Sequence, residues 1–206
     1  MPAYRPTSPD ALVDLCVEAV TRRPGVVVAG IDGADAAHPT DLAARVAQVL
    51  RTTGRAAAVV AVGDYVRPAS VRKEYGHTDT ESYRTMWFDW AALDREVVTA
   101  LRAERRWLPR LWDPVTDRSP RDRPRPAAPD QVVLLAGPML LGRGLDLAPT
   151  VRLEMSAAAL RRRTPESDHW TVDAVLEHAA QVGDIADLTV RYDHPDRPAV
   201  IDGRTG

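Results

Sequence analysis

The chain alternates between two periodicities, and this alternation constrains its fold more than any other feature. Short apolar runs at 26–29, 56–62, 131–136, 150–155 and 188–192 are separated by segments with helical spacing. A run apolar on consecutive residues, such as Val26-Val27-Val28-Ala29, fits a strand covered on both faces. The helical segments carry their own punctuation. Ser8 is placed to cap a helix over 9–23, Pro9 suits its first position, and Leu12, Leu15, Cys16, Ala19 and Val20 share one face. A second helix over 41–51 turns Leu42, Val46, Val49 and Leu50 inward and stops at Gly54. A third over 89–104 starts at Asp89, with Leu93, Val97 and Leu101 in one stripe. Two more are read over 157–163 and 172–182. Strands alternating with helices predict a three-layer α/β domain around a mostly parallel, five-stranded sheet. At 206 residues, with no internal repeat, the chain is expected to form one domain. Pro, Arg and Asp crowd 113–130, which reads as an excursion from the core, and the tail 194–206 reads as loose.

The junction after the first run carries the chemistry. It reads Gly30-Ile31-Asp32-Gly33-Ala34-Asp35-Ala36-Ala37-His38-Pro39-Thr40-Asp41. A strand, a tight loop and a helix start in that order can surround phosphate oxygens with backbone N–H groups. The working pattern is Gly, four residues, then Gly-Lys-Ser/Thr. Gly33 and Thr40 fit it, whereas His38 and Pro39 stand where Gly and Lys belong. Pro39 removes the Lys charge and, having no N–H, one backbone donor. His38 brings a side chain to a place where a positive φ would be strained. Phosphoryl transfer depends on stabilising charge in the transition state, so losing the Lys predicts a rate lower by several powers of ten. His38 offers at most a partial positive charge near neutral pH. The alternative is that it is a plain loop residue before a helix that Pro39 starts.

Composition excludes several function classes. The net charge is −2, which gives no pull toward nucleic acid or an anionic membrane. Cys16 is the only cysteine, so no intrachain disulfide or cysteine metal site can form, and a cytosolic setting is expected. The first residues lack the apolar core of a signal peptide, and no run is long enough to span a bilayer. His77, His169, His178 and His194 have no metal-ligand spacing. The expected partner is a small molecule, with an assembly of identical chains left open.

Further motifs follow the loop in a fixed order. They are Val62-Gly63-Asp64-Tyr65-Val66-Arg67-Pro68, Glu81-Ser82-Tyr83 through Phe88-Asp89-Trp90, Trp112-Asp113-Pro114-Val115-Thr116-Asp117-Arg118, Val133 to Leu141, and Leu160-Arg161-Arg162-Arg163. Together with the loop they resemble the uridine kinase-like branch of the P-loop kinases, in its actinobacterial form with a degenerate phosphate loop, over 26–201. The resemblance implies a P-loop NTPase-like domain with ATP and Mg²⁺ as cofactors. It makes Asp64 the base that takes the acceptor's proton. It assigns Gly33, Asp35, His38 and Thr40 to the nucleotide, with Thr40 also beside Mg²⁺. Arg161, Arg162 and Arg163 become lid arginines within a lid-like region 157–182. Tyr65, Arg67, Tyr83 and Asp113 fall on the substrate side, with 105–130 as the substrate-side excursion. Ala136 stands where relatives carry an acidic residue or Ser near the metal, and an Ala cannot ligate it.

The residues themselves leave alternatives open. Asp64 is either a retained base at the carboxyl end of a strand or a turn-forming Asp. The three arginines are either phosphate clamps or a solvated helix end. Trp90 reads as core, and Tyr83 as the better ligand candidate. Asp32 reads as a structural carboxylate. Two functions follow. One is a nucleoside kinase-like phosphotransferase passing the ATP γ-phosphoryl group to a small-molecule hydroxyl. The other is an inactive homologue that binds a nucleotide or a partner.

Overall fold

The computed structural model describes residues 3–183 and 185–202. In chain order the elements are β1 (Ala3–Pro6), α1 (Pro9–Thr21), β2 (Val27–Gly33), α2 (Pro39–Thr52), β3 (Ala57–Ala61), α3 (Ala69–Arg72), α4 (Thr80–Thr85), α5 (Trp90–Leu93), α6 (Ala100–Ala103), β4 (Arg106–Trp107), β5 (Arg125–Pro126), β6 (Val132–Gly137), β7 (Thr150–Glu154), α7 (Ala157–Arg163), α8 (Trp170–Val182), β8 (Leu188–Arg191) and β9 (Ala199–Asp202). The expected caps are made. Ser8 Oγ accepts from the Ala11 N–H at 3.1 Å, and Asp89 accepts from the Ala92 N–H at 3.0 Å. Between α5 and α6 the helix widens into a π-turn over Asp94–Thr99, so the predicted helix 89–104 is continuous but not uniform.

Seven strands form the main sheet, in the order β1-β9-β8-β7-β2-β6-β3. β3, β6, β2, β7 and β8 are mutually parallel, whereas β9 runs antiparallel to β8 and β1 antiparallel to β9. The five expected strands are the parallel ones. The expected count is corrected by two further strands added beyond β8, and one of them, β9, comes from the stretch expected to be loose. Each is four residues long, too short to show a period, and is held by backbone pairing that the Thr7 N–H extends to the Pro198 carbonyl at 2.9 Å. The excursion also carries structure: β4 pairs with β5 in a small antiparallel ribbon, and Trp107 on it is buried.

The central strands are apolar on consecutive residues because each face of the sheet has its own cover. Val27, Ala29 and Ile31 of β2, with Val132, Leu134 and Ala136 of β6, join α1 and α2 in one core. The alternate residues Val28, Val133 and Leu135 face a second core with Leu93, Val97, Leu101 and a group of aromatic rings. Cys16 is buried in the first core, where burial pushes its thiol up to about 12. Because the five strands are parallel, the segments after β2, β3 and β6 leave the sheet at the same end. β3 lies two strands from β2, so those two exits are roughly 10 Å apart. Among the described residues no helix is long and apolar enough to cross a membrane.

Candidate functional site

β2 ends at Gly33, packed so closely on β7 that a Cβ there would sit 3.0 Å from Leu153 Cβ. The chain then makes one 3₁₀ turn over Asp35–Ala37. The Ala37 N–H donates to the Ala34 carbonyl at 2.8 Å and the His38 N–H to the Asp35 carbonyl at 2.9 Å. His38 takes the left-handed conformation, φ 52° and ψ 52°, and Pro39 opens α2. The backbone at residue 38 is therefore in the positive-φ region that glycine occupies freely, with a histidine in place. Its ring is mostly exposed, 3.8 Å from Asp41. A working phosphate loop turns its N–H groups toward the anion. Here two of them are spent on a turn inside the loop, and Pro39 has none.

Beside the loop lies a cavity of about 640 Å³. The loop contributes Asp35, His38 and Thr40; α4 contributes Tyr83; α7 contributes Arg163; Asp168 and Trp170 come from the turn entering α8, and Trp87 from just after α4. Tyr83 meets Trp87, Phe88 and Trp170 edge-on, with ring centroids at 5.4, 5.6 and 5.3 Å. Burial pushes the Tyr83 hydroxyl well up, and the Asp35 and Asp168 carboxylates push it further. Asp35 keeps exposed surface at the rim, yet neighbouring atoms crowd its carboxyl. That desolvation first, then Asp168, pushes it up, while His38 opposes. Arg163 buries its Nη1 without a hydrogen-bond partner.

Behind the loop, Asp32 accepts from the Leu140 N–H at 2.8 Å and lies 3.5 Å from Arg152 Nε. Burial pushes its carboxyl up, and the Leu140 N–H and Arg152 pull it back. Its position matches the structural reading of the sequence. Ala136 is fully buried in β6.

The other expected residues do not line this cavity. Asp64 sits in a 3₁₀ turn at the end of β3, and its carbonyl accepts from the Leu111 and Trp112 N–H groups, both at 3.0 Å. Burial pushes its carboxyl up, Arg110 pulls it down, and Asp122 and Asp113 push it up again. Arg110 is itself held by Asp122 through two bonds of 3.0 Å. Asp113, expected on the substrate side, instead accepts from the Val115 N–H at 2.9 Å and the Thr116 hydroxyl at 2.8 Å, closing its own turn. Tyr65, also expected there, is 0% exposed and donates its hydroxyl to the Leu108 carbonyl at 2.7 Å, so it is a core residue. The main chain of Arg67 pairs with Trp87 and accepts from Arg72 Nε at 2.6 Å. Of the three lid arginines only Arg163 reaches the cavity. Arg161 pairs with Asp173 at 3.0 Å on the surface, and Arg162 is exposed. Asp168 and Trp170 were not anticipated. They sit in a polar turn with no motif around them, and only the packing of α7 and α8 brings them to the loop.

Mg-ATP does not fit this arrangement. The loop's donors are partly consumed, the Lys is absent, and Asp35 with Asp168 sets two carboxylates beside the place a polyphosphate would occupy. Among the described residues no group of three His, Cys, Asp or Glu side chains is placed to hold a metal ion.

No protein-family model matches the sequence, and no curated protein matches it. Solved structures do. One is a possible uridine kinase from Bacillus stearothermophilus, at TM-score 0.66 and 20% identity, covering 86% of this chain and 97% of that one. Another is a candidate fructose transport system kinase from Silicibacter sp. TM1040, at TM-score 0.63 and 17% identity, covering 89% of this chain and 98% of that one. The YGR205w protein matches at TM-score 0.59 and 10% identity over 95% of this chain and 99% of that one. The strand–loop–helix junction at 27–52 and the mostly parallel sheet are thus parts of one architecture: the chain has the P-loop kinase fold.

Proposed function

We propose that this chain is a P-loop kinase-fold homologue of the uridine kinase-like type that binds a small molecule over its former phosphate loop and transfers no phosphoryl group. The observation that carries this reading is the closed loop. The Ala37 and His38 N–H groups are bonded within it at 2.8 and 2.9 Å, and Pro39 stands where a Lys would grip the phosphates. Stabilisation of transition-state charge is nearly all that a protein contributes to phosphoryl transfer. A loop that has turned two of its donors inward and carries no Lys contributes little of it. The retained cavity, with Tyr83 and Arg163 on its walls, supports a binding role. A cytosolic setting goes with this reading.

The kinase alternative has one observation in its favour. Asp64 stands at the carboxyl end of β3 with its carboxyl pushed up by burial, as suits a base. The cation that acts on it, Arg110, is already paired with Asp122. The experiment incubates the protein with Mg-ATP and a panel of nucleosides, following ADP release and melting temperature together. The expected result is no ADP above the protein-free control and no thermal stabilisation by millimolar Mg-ATP. Nucleoside-dependent ADP release that disappears in Asp64→Asn would restore the kinase reading.

A further inference from the structure

We infer that the cavity beside the loop is a site for a small organic cation, its ammonium or amidinium head between the carboxylates of Asp35 and Asp168 and its flat body against Trp87 and Trp170. The inference rests on the reading above that this cavity binds a ligand, and adds which chemistry it selects.

Three independent observations converge. The first is uncompensated charge. The Asp35 carboxylate accepts no hydrogen bond and makes no ion pair among the described residues, and the Asp168 carboxylate accepts only from the neighbouring Ser167 hydroxyl at 3.3 Å. The charges that act on Asp35 are Asp168 and His38, with Arg163 not among them. Two carboxylates that repel each other are relieved by a cation placed between them and strained further by an anion. The second is the Tyr83 hydroxyl. The side chain is 5% exposed and lines the cavity, feels both carboxylates, and makes no hydrogen bond with any described residue. Its oxygen is not among the fully buried atoms, so it meets the open space of the cavity and is left for a ligand. The third is the wall. The Trp87 and Trp170 ring centroids lie 5.3 Å apart, and aromatic faces attract organic cations: Arg72 already lies over Trp87, 5.2 Å from its centroid, while Trp170 carries no such cation among the described residues. Much of the remaining lining, including Leu160 and Val172, is apolar, which suits a carbon skeleton rather than a hydrated metal ion.

A matched series tests the charge preference with the body held constant: tryptamine as cation, indole-3-acetamide as neutral form, indole-3-acetate as anion. Binding is read by calorimetry and by melting temperature, with ADP release from Mg-ATP followed in parallel samples. Tryptamine is expected to bind about tenfold more tightly than the acetamide, and the acetate not to bind at millimolar concentration. Asp35→Asn and Asp168→Asn, both at the exposed rim, are each expected to weaken tryptamine by about tenfold. The inference is overturned if tryptamine fails to bind at millimolar concentration, if the acetate binds as well as the amine, if neither Asn variant changes tryptamine affinity, or if MgCl₂ displaces it. ADP release with the amine preference intact would refute only the absence of phosphoryl transfer. Loss of the amine preference without ADP release would refute only the cation assignment.

Discussion

Tyr65 and Tyr83 follow each other closely in the sequence and look equally suited to touch a substrate, yet removing one oxygen from each should have opposite consequences. Tyr65 is wholly buried and its hydroxyl donates to the Leu108 carbonyl at 2.7 Å, tying the turn after β3 to the start of the excursion. Tyr65→Phe deletes that bond and leaves the carbonyl without its partner, a loss of about 1–3 kcal/mol. For a chain of this size each kcal/mol lowers the melting temperature by about 2–4 °C, so the variant should melt about 2–12 °C lower. The Tyr83 hydroxyl makes no hydrogen bond among the described residues, so Tyr83→Phe should leave stability within about 0.5 kcal/mol of the parent. It should instead weaken whatever occupies the cavity. Urea denaturation of both variants, followed by tryptophan fluorescence, gives the stabilities, and calorimetry with tryptamine gives the binding. The reasoning fails if Tyr65→Phe is as stable as the parent while losing ligand affinity. It also fails if Tyr83→Phe is the destabilised variant.

Four other outcomes follow from the same contacts. His178 is buried with Nε2 at 2.8 Å from the Leu141 carbonyl, and burial, followed by Arg143, Arg152 and Arg84, holds its pKa below the ordinary histidine value. The unfolded chain therefore takes up the proton first, so stability should fall as pH drops from about 7 to 5, a slope that denaturation curves should find flattened in His178→Gln. Gly137 has φ 155°, and an added Cβ would lie 2.5 Å from Val62 Cβ; Gly137→Ala should cost about 1–3 kcal/mol in urea denaturation. His38→Gly relieves a left-handed residue worth about 1–2 kcal/mol against an entropic cost of about 0.5–1, so the melting temperature should rise slightly. Cys16, buried and with its thiol pushed up to about 12, should stay silent to a chromogenic disulfide reagent until the chain is unfolded in urea.

The five parallel strands and the major helices were legible because each writes its own period into the chain. Apolar residues on consecutive positions mark β2 and β6, and Ser8 and Asp89 mark helix starts. The antiparallel strands β1 and β9 were not legible. Four residues carry too little pattern, and what holds them is the backbone of a neighbour distant in sequence. The site divides in the same way. At the loop, a histidine before a proline marks the strained turn that His38 makes at φ 52°. Asp32 declared a structural role that its bonds to Leu140 and Arg152 match. Tyr65 and Asp113 misled because a residue type and a family position do not reveal whether a hydroxyl or carboxylate is already satisfied locally.

By itself, the sequence determined the architecture and the missing phosphate-gripping groups, since periodicity, glycine and proline act through local sterics and covalent structure. Only the tertiary structure decided where the remaining charges stand. It spent two of the loop's N–H groups on a 3₁₀ turn, and it carried Asp168 across from the turn before α8 to act on Asp35. It also left the Tyr83 hydroxyl unpaired against them. Electrostatic fields and hydrogen-bond satisfaction depend on distance in space, and for residues 35, 83 and 168 only the packing of α4, α7 and α8 beside the loop sets that distance.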